Sequence, residues 1–308
     1  MPEKIIACPK CGYVQPEGSE CLRCRVIFAR IPHQKPHPPA QTLPDKPKKK
    51  TGFFRAMRIA FLLLVLAGLG FNIWLVKWRV AAWDRPLWVV IYPICGDANP
   101  ETRAYIDSLT PEDFKPVTNF FSAEAERYSL KIKEPFNIVL APRLDEVPPQ
   151  IPDQPTPLSM IVWSLKLRFW AWRIDTAQAP VQDIQLFVLY FDKSRTIVDH
   201  SYVMQKGYIG VVNAYAEPKM GNKNNIVIAH ELLHLAGATD KYNPTNELPV
   251  YPEGYADPEA RPLYPQSLAE IMAGSIPVSA TKSEMPGSLD ETVIGPGTAR
   301  EINWLHVE

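Results

Sequence analysis

The longest apolar run in the chain, "IAFLLLVLAGLGFNIWLV" from Ile59 to Val76, is 18 residues without a charge. Its few polar positions recur neither every second place nor every third or fourth. That predicts a helix apolar on all sides, near the ~20 residues that cross a bilayer. Beyond it the pattern changes to short blocks. "LWVVIYPI" (87–94), "FNIVLAP" (136–142), "DIQLFVLYFD" (183–192) and "GYIGVVNAYAEP" (207–218) are β-branched and aromatic, and predict strands. "RTIVDHSYVM" (195–204) reads the same way. "PEDFKPVTNFFSAEAERYSL" (111–130) opens on Thr110-Pro111 with acids in its first turn. Phe114, Val117, Phe120, Phe121, Ala125 and Tyr128 then recur on one face, the spacing of a helix. "MIVWSLKLRFWAWRI" (160–174) fits a strand or a helix equally.

The stretch "NKNNIVIAHELLHLAG" predicts a buried helix from about Asn224 to Ala236. Asparagines are available as its N-cap, and Gly237 as the residue that ends it. Strand, helix, more strands and then a buried helix predict an α+β layered domain.

Charge divides the chain as the apolar run does. Residues 1–58 hold 12 Lys/Arg against 4 Asp/Glu, and residues 77–308 hold 21 against 29, although the formal total is zero. Lys46, Lys48, Lys49, Lys50, Arg55 and Arg58 precede the run, whereas only Lys77, Arg79 and Arg85 follow closely. The positive-inside rule therefore puts the N-terminus in the cytoplasm and everything after the run in the periplasm or outside the cell. Trp74, Trp78 and Trp83 sit on its outer side, as interfacial aromatics do. A run that follows 58 residues of other sequence predicts an uncleaved anchor and not a signal peptide.

Residues 1–30 contain "CPKCGYVQPEGSECLRC", two C-x2-C knuckles nine residues apart. Cys8, Cys11, Cys21 and Cys24 supply four thiolates, which zinc accepts as a closed tetrahedral set, and Gly12 suits the tight turn of the first knuckle. The module resembles the small zinc ribbons at the N-termini of many bacterial proteins. A closed site is structural. The partner expected of the ribbon is a cytoplasmic protein, because "RCRVIFAR" is too short a basic stretch for nucleic acid. Residues 31–58 are a Pro/Lys-rich linker, in which His33 and His37 read as solvated. Cys95, in "PICGDA", reads as a free thiol at a strand end.

The chemistry concentrates in residues 230–240. On a helix, His230 and His234 project from one face a turn apart and can share a zinc ion. Glu231 lies beside that ion, where it can take a proton from a water. Burying two histidines and a glutamate without partners is costly, and a metal removes the cost. Gly237 can reverse the chain in the left-handed conformation, which brings Asp240 back as a third ligand and leaves a fourth position open. Glu253, Glu259 and Glu270 are the competing third ligands.

"HELLHLAGATD" resembles the H-E-x-x-H-x-x-G-x-x-H/D signature of the metzincin zinc peptidases, in the form with aspartate last. The resemblance covers residues 85–308 and implies a peptide- or protein-cleaving enzyme. Its metal would be held by His230, His234 and Asp240, with Glu231 as general base and a methionine turn at Met272 ("LAEIMAGS"). It also implies a mixed sheet over the active-site helix, a loop-rich C-terminal subdomain and an edge strand that holds substrate, for which Tyr208, Ile209, Gly210, Val211, Val212 and Asn213 are the natural candidates. Gly274 stands where some relatives carry a tyrosine. A non-catalytic zinc-containing scaffold of the envelope is the rival reading, against which the presence of Glu231 argues.

Overall fold

The computed structural model describes residues 4–30, 55–64, 66–68, 70, 82–174, 182–192, 194 and 201–305. The chain divides into two units, residues 1–60 and 61–308. In the first, β1 (Ile5–Ala7) and β2 (Val14–Pro16) pair antiparallel with Ile6 opposite Gln15. Each knuckle closes on the same bond. The Gly12 N–H donates to the Cys8 carbonyl at 2.8 Å, and the Arg25 N–H to the Cys21 carbonyl at 2.9 Å. Gly12 has φ +70°, as its turn requires, and Arg25 adopts φ +53° at the equivalent place. A non-glycine residue there costs about 1–2 kcal/mol, so the second knuckle is the more strained.

Residues 55–64, 66–68 and 70 are helical, and Phe61, Leu62, Leu63, Leu64 and Leu66 on that run are exposed. The rest of the expected span (65, 69 and 71–76) lies outside the described residues, as do Trp74, Trp78 and most of the linker. Among the described residues no helix is long and apolar enough to cross a membrane. Trp83 is not an interfacial aromatic. It is buried in the core of the second unit, its indole N–H donates to the Ile302 carbonyl at 2.7 Å, and its ring meets Phe136 and Trp304 edge-on.

That unit is built on β3 (Leu87–Cys95), β4 (Phe136–Leu140), β5 (Ile184–Phe191), β6 (Tyr202–Met204) and β7 (Ile209–Tyr215), in the order β4-β3-β5-β7-β6. The first four are parallel, and β6 runs antiparallel along β7. Parallel strands need crossovers; α1 (Pro100–Asp107) and α2 (Lys115–Arg127) make the one from β3 to β4, and α3 (Pro157–Arg173) the one from β4 to β5. The helix α4 (Gly221–Ala236) follows β7.

Successive strand residues serve opposite faces. Leu87, Val89 and Ile91 join Phe120, Phe121, Ile228 and Leu232 on the side of α2 and α4. Val90, Tyr92 and Ile94 join Trp163, Leu167 and Trp170 of α3 on the other. Coverage of both faces explains why these strands read as unbroken apolar runs.

Residues 160–174, ambiguous in pattern, are helical because Thr156 caps the Ser159 N–H at 3.1 Å and Pro157 starts the helix. Trp163, Leu167, Trp170 and Ala171 then fall on one buried face. The 111–130 block splits into a 3-10 turn (Pro111–Phe114) ahead of α2. Helix α1 carries no strong pattern and was not expected.

After α4 the chain is loop-rich, as expected. It makes β8 (Ala269–Glu270) parallel to β11 (Thr292–Val293), a hairpin of β9 (Ile276–Ser279) and β10 (Lys282–Glu284), and α5 (Pro296–Glu301).

Candidate metal centres

The ribbon places the Cys8 and Cys24 sulfurs 3.7 Å apart, and those of Cys11 and Cys21 also 3.7 Å apart. All four sulfurs lie within 4.8 Å of one another, and none is in a disulfide. A disulfide would hold its sulfurs at about 2.05 Å. A tetrahedral ion with Zn–S near 2.3 Å separates them by about 3.8 Å. The spacing fits a closed four-thiolate metal site.

The second group is assembled from helix and loop. Helix α4 starts at Gly221, three residues before the expected start, and its N-cap is Met220 without a side-chain bond. The asparagines do something else. Asn224 accepts from the Tyr215 N–H at 3.1 Å and donates to the Tyr215 carbonyl at 2.9 Å, which locks the helix to the end of β7. Asn225 donates to the Asp113 carbonyl at 2.9 Å. Gly237 ends the helix at φ +119°, where a side chain would be strained and would also meet the Glu301 carbonyl at 3.4 Å.

The reversal brings Asp240 back over the helix. Its Oδ1 lies 3.2 Å from His230 Nε2 and 3.0 Å from His234 Nε2. Donors about 2.05 Å from a tetrahedral ion stand about 3.3 Å apart, so these three atoms fit one metal as well. The opposite ring nitrogens face carbonyls, His230 Nδ1 that of Ile271 at 3.0 Å and His234 Nδ1 that of Ala238 at 2.9 Å. A carbonyl only accepts, so in the neutral rings Nδ1 carries the proton and the Nε2 lone pairs converge on Asp240.

Burial raises the pKa of Glu231, although the two histidines oppose the rise. Burial alone would raise Asp240 too, but the bonds that the two rings donate from Nε2 when they are protonated outweigh it and hold this carboxyl low.

Glu270 is not a ligand. It is fully buried and accepts from the Ala273 N–H at 3.1 Å, the Gly295 N–H at 3.0 Å and the Thr298 hydroxyl at 2.6 Å. Glu253 lies against Lys241 and Arg300, and Glu259 pairs with Arg261. The Glu270 carboxylate cradles the turn Ile271–Ala273, which contains the fully buried Met272. Two consecutive carbonyls of that turn accept from the site, Ile271 from His230 and Met272 from the Lys241 N–H at 2.9 Å.

The expected edge strand is interior over only part of its length. Residues 209–211 of β7 pair on both sides, with β5 and with β6, whereas residues 212–215 pair with β5 alone, so the sheet's edge among the described residues is Tyr202–Met204 and then the second half of β7. Of the six residues expected to hold substrate, Asn213 lines the cleft over the ligands. Val211 lines an adjoining cavity, and Tyr208 precedes the strand at φ +52°. Ile209, Gly210 and Val212 line neither.

The cleft itself has a volume of about 550 Å³; Tyr202, Val203, Ile226, Tyr242 and Met285 line it beside the three ligands and Glu231. It shares Tyr202 and Asn213 with a cavity of about 430 Å³ at the proline-rich loop. It also shares Tyr242, Gly274 and Met285 with one of about 540 Å³ beside β10. Through these shared residues the three adjoin as one trench, whose middle cavity holds the ligands. A further cavity of about 470 Å³ lies near the start of α4, away from the ligands. Cys95 ends β3 with its sulfur 3.5 Å from Asp97 Oδ1 and belongs to neither ligand group. No protein-family model matches the chain, and no curated protein matches it in sequence.

Proposed function

We propose that residues 85–308 are a zinc endopeptidase of the metzincin type, tethered to a membrane by residues 59–76. In this reading the four-cysteine ribbon is cytoplasmic and the peptidase domain periplasmic or extracellular. The observation that carries the reading is Asp240 Oδ1 at 3.2 Å from His230 Nε2 and 3.0 Å from His234 Nε2, all three ligand atoms within 4.8 Å of one another, with Glu231 on the same helix. The trench adds to it, because an endopeptidase needs room for chain on both sides of the scissile bond. The anchor is supported by the 18-residue uncharged run, the basic residues before it and the exposed leucines on its helical part.

Zinc held by such a donor set supplies a Lewis acid to a water and to the scissile carbonyl. Glu231 does the proton work. Its carboxylate accepts the water's proton and returns it to the leaving amine. His230, His234 and Asp240 would hold the ion, a three-ligand set of the kind that leaves room for water.

The test is cleavage of an unbiased peptide mixture by the full chain in detergent with zinc, wild type beside Glu231→Ala. Cleavage by the wild type alone is the expected result. Equal cleavage by both removes the general base. No cleavage by either, with a metal still held by His230, His234 and Asp240, would return the domain to a zinc-containing binding module.

A further inference from the structure

Helix α3 buries one face against the sheet and is apolar on the other as well. Leu158, Ile161, Val162, Leu165, Phe169 and Trp172 point outward, with Leu158 71 % and Trp172 74 % exposed. Their spacings of three, one, three, four and three residues put them on a single stripe. A contiguous apolar patch of this kind marks an interaction surface and not chance exposure.

The charge on the helix points the same way. It carries Lys166, Arg168 and Arg173 and no acid, on a region (77–308) with 21 Lys/Arg against 29 Asp/Glu. Basic residues with Trp, Phe and Leu are the composition of helices that lie in the headgroup layer of an anionic membrane.

Chain geometry brings that layer within reach. Only residues 77–82 separate the uncharged run from Trp83, which is fixed in the domain core. Fully extended, the seven steps from Val76 to Trp83 span about 25 Å. A domain of this size has a radius of gyration of about 17 Å, so it cannot stand clear of the bilayer. The tether enters at the start of β3, where Arg85 grips Asp183, one residue before β5, at 2.7 and 2.9 Å. Because β4 and β5 are parallel, α3 must run back to that same end of the sheet. Phe169 and Trp172, at its C-terminal end, therefore lie at the end of the sheet where the tether arrives, while Trp83 itself packs on the opposite face.

We propose that the outer face of α3 rests in the lipid interface of the membrane that holds the anchor. The proposal depends on residues 59–76 being that anchor. Trp163 Nε1 donates to the Pro149 carbonyl at 2.9 Å, so the helix is tied to the loop whose Val147 and Ile151 line one end of the trench. The face would then hold that end near the bilayer, where the accessible polypeptide is the membrane-proximal segment of another membrane protein.

The test reconstitutes the full chain in phosphatidylglycerol/phosphatidylethanolamine vesicles with a diazirine on an acyl chain, irradiates them, and maps labelled peptides by mass spectrometry. Label is expected in both 59–76 and 157–173. In the double variant L165S/F169S, which changes only exposed positions, label in 157–173 should fall to background while that in 59–76 persists. Label confined to 59–76 in the wild type overturns the proposal and leaves the anchor standing. Label in neither segment overturns both. Cross-links between two chains through α3 would assign the face to a second copy and overturn the lipid assignment.

Discussion

The two ligand groups solve the same problem by different means. The ribbon draws four sulfurs from 17 residues, and each pair is set by a local turn closed with a 2.8–2.9 Å bond. The His230, His234 and Asp240 group draws on one helix and one reversal, but its orientation comes from far along the chain. Ile271 fixes the His230 ring, Met272 holds the Lys241 backbone, and Glu301 grips Thr239 and Lys241 on either side of Asp240. A local site can be complete with four ligands and no opening. A site that must face a trench uses three, and takes its rigidity from remote residues. On the proposed reading, the difference separates a metal that would hold structure from one that would be available for chemistry.

The strongest test of that separation is metal content against turnover. His230→Ala should reduce zinc from two ions to one per chain and abolish peptide cleavage. Cys21→Ser should also leave one ion per chain but preserve the cleavage rate in detergent solution. A loss of cleavage in both would mean that the two sites are not independent. Next in size is Glu231→Gln. It should keep both ions and lower kcat by about a hundred- to ten-thousandfold, the usual contribution of a general acid–base group. Elemental analysis beside a steady-state assay reads both quantities.

How far each site could be read from the sequence follows the same division. The knuckles are visible because their ligands are sequence neighbours, and His230, Glu231 and His234 because one helical turn relates them. Asp240 was reached through Gly237, whose left-handed conformation is a property of the residue itself. The carbonyls of Ile271 and Ala238 gave no signal, since any residue can present one. Glu270 showed a side chain suited to metal, and only the fold reveals that it holds the turn at Met272 instead.

The edge strand was placed correctly only in its second half, for a physical reason. Residues 209–211 read as part of one apolar block with 212–215, and nothing in the pattern reveals that the three-residue strand Tyr202–Met204 covers them. Trp83 looked interfacial because it follows an apolar run. Its partner Ile302 is 219 residues away. The helix at 160–174 could not be separated from a strand by pattern, since both of its faces are apolar.

Smaller effects should come from the remote supports of the open site. Glu301 accepts from the Thr239 N–H at 2.8 Å and the Thr239 hydroxyl at 2.7 Å, and it binds the Lys241 ammonium. Lys241 is 6 % exposed, and its other acid, Glu253, is 4.0 Å away. Glu301→Gln keeps the shape and removes the charge. Zinc affinity at the histidine site should fall by about tenfold, at the low end for an outer support, and ribbon affinity should not change. Competition with a chromophoric chelator would read the two sites separately, and an equal loss at both would contradict the local role of Glu301.

The same variant carries a pH signature. Burial alone would raise the Glu301 pKa, but the bonds from Lys241 and Thr239 outweigh it and hold it below its ordinary value. A group depressed in the folded state adds stability above its unfolded pKa, about 4.3 for glutamate, and loses it as pH falls through the folded value. In the presence of chelator, wild type should melt about 3 °C above Glu301→Gln at neutral pH, a shift of about 1 kcal/mol for a domain of this size. The gap should close below about pH 4, as the wild-type carboxyl takes up its proton. A gap that stayed constant down to pH 3 would mean that Glu301 acts through packing, and that the charge on Lys241 is satisfied without it.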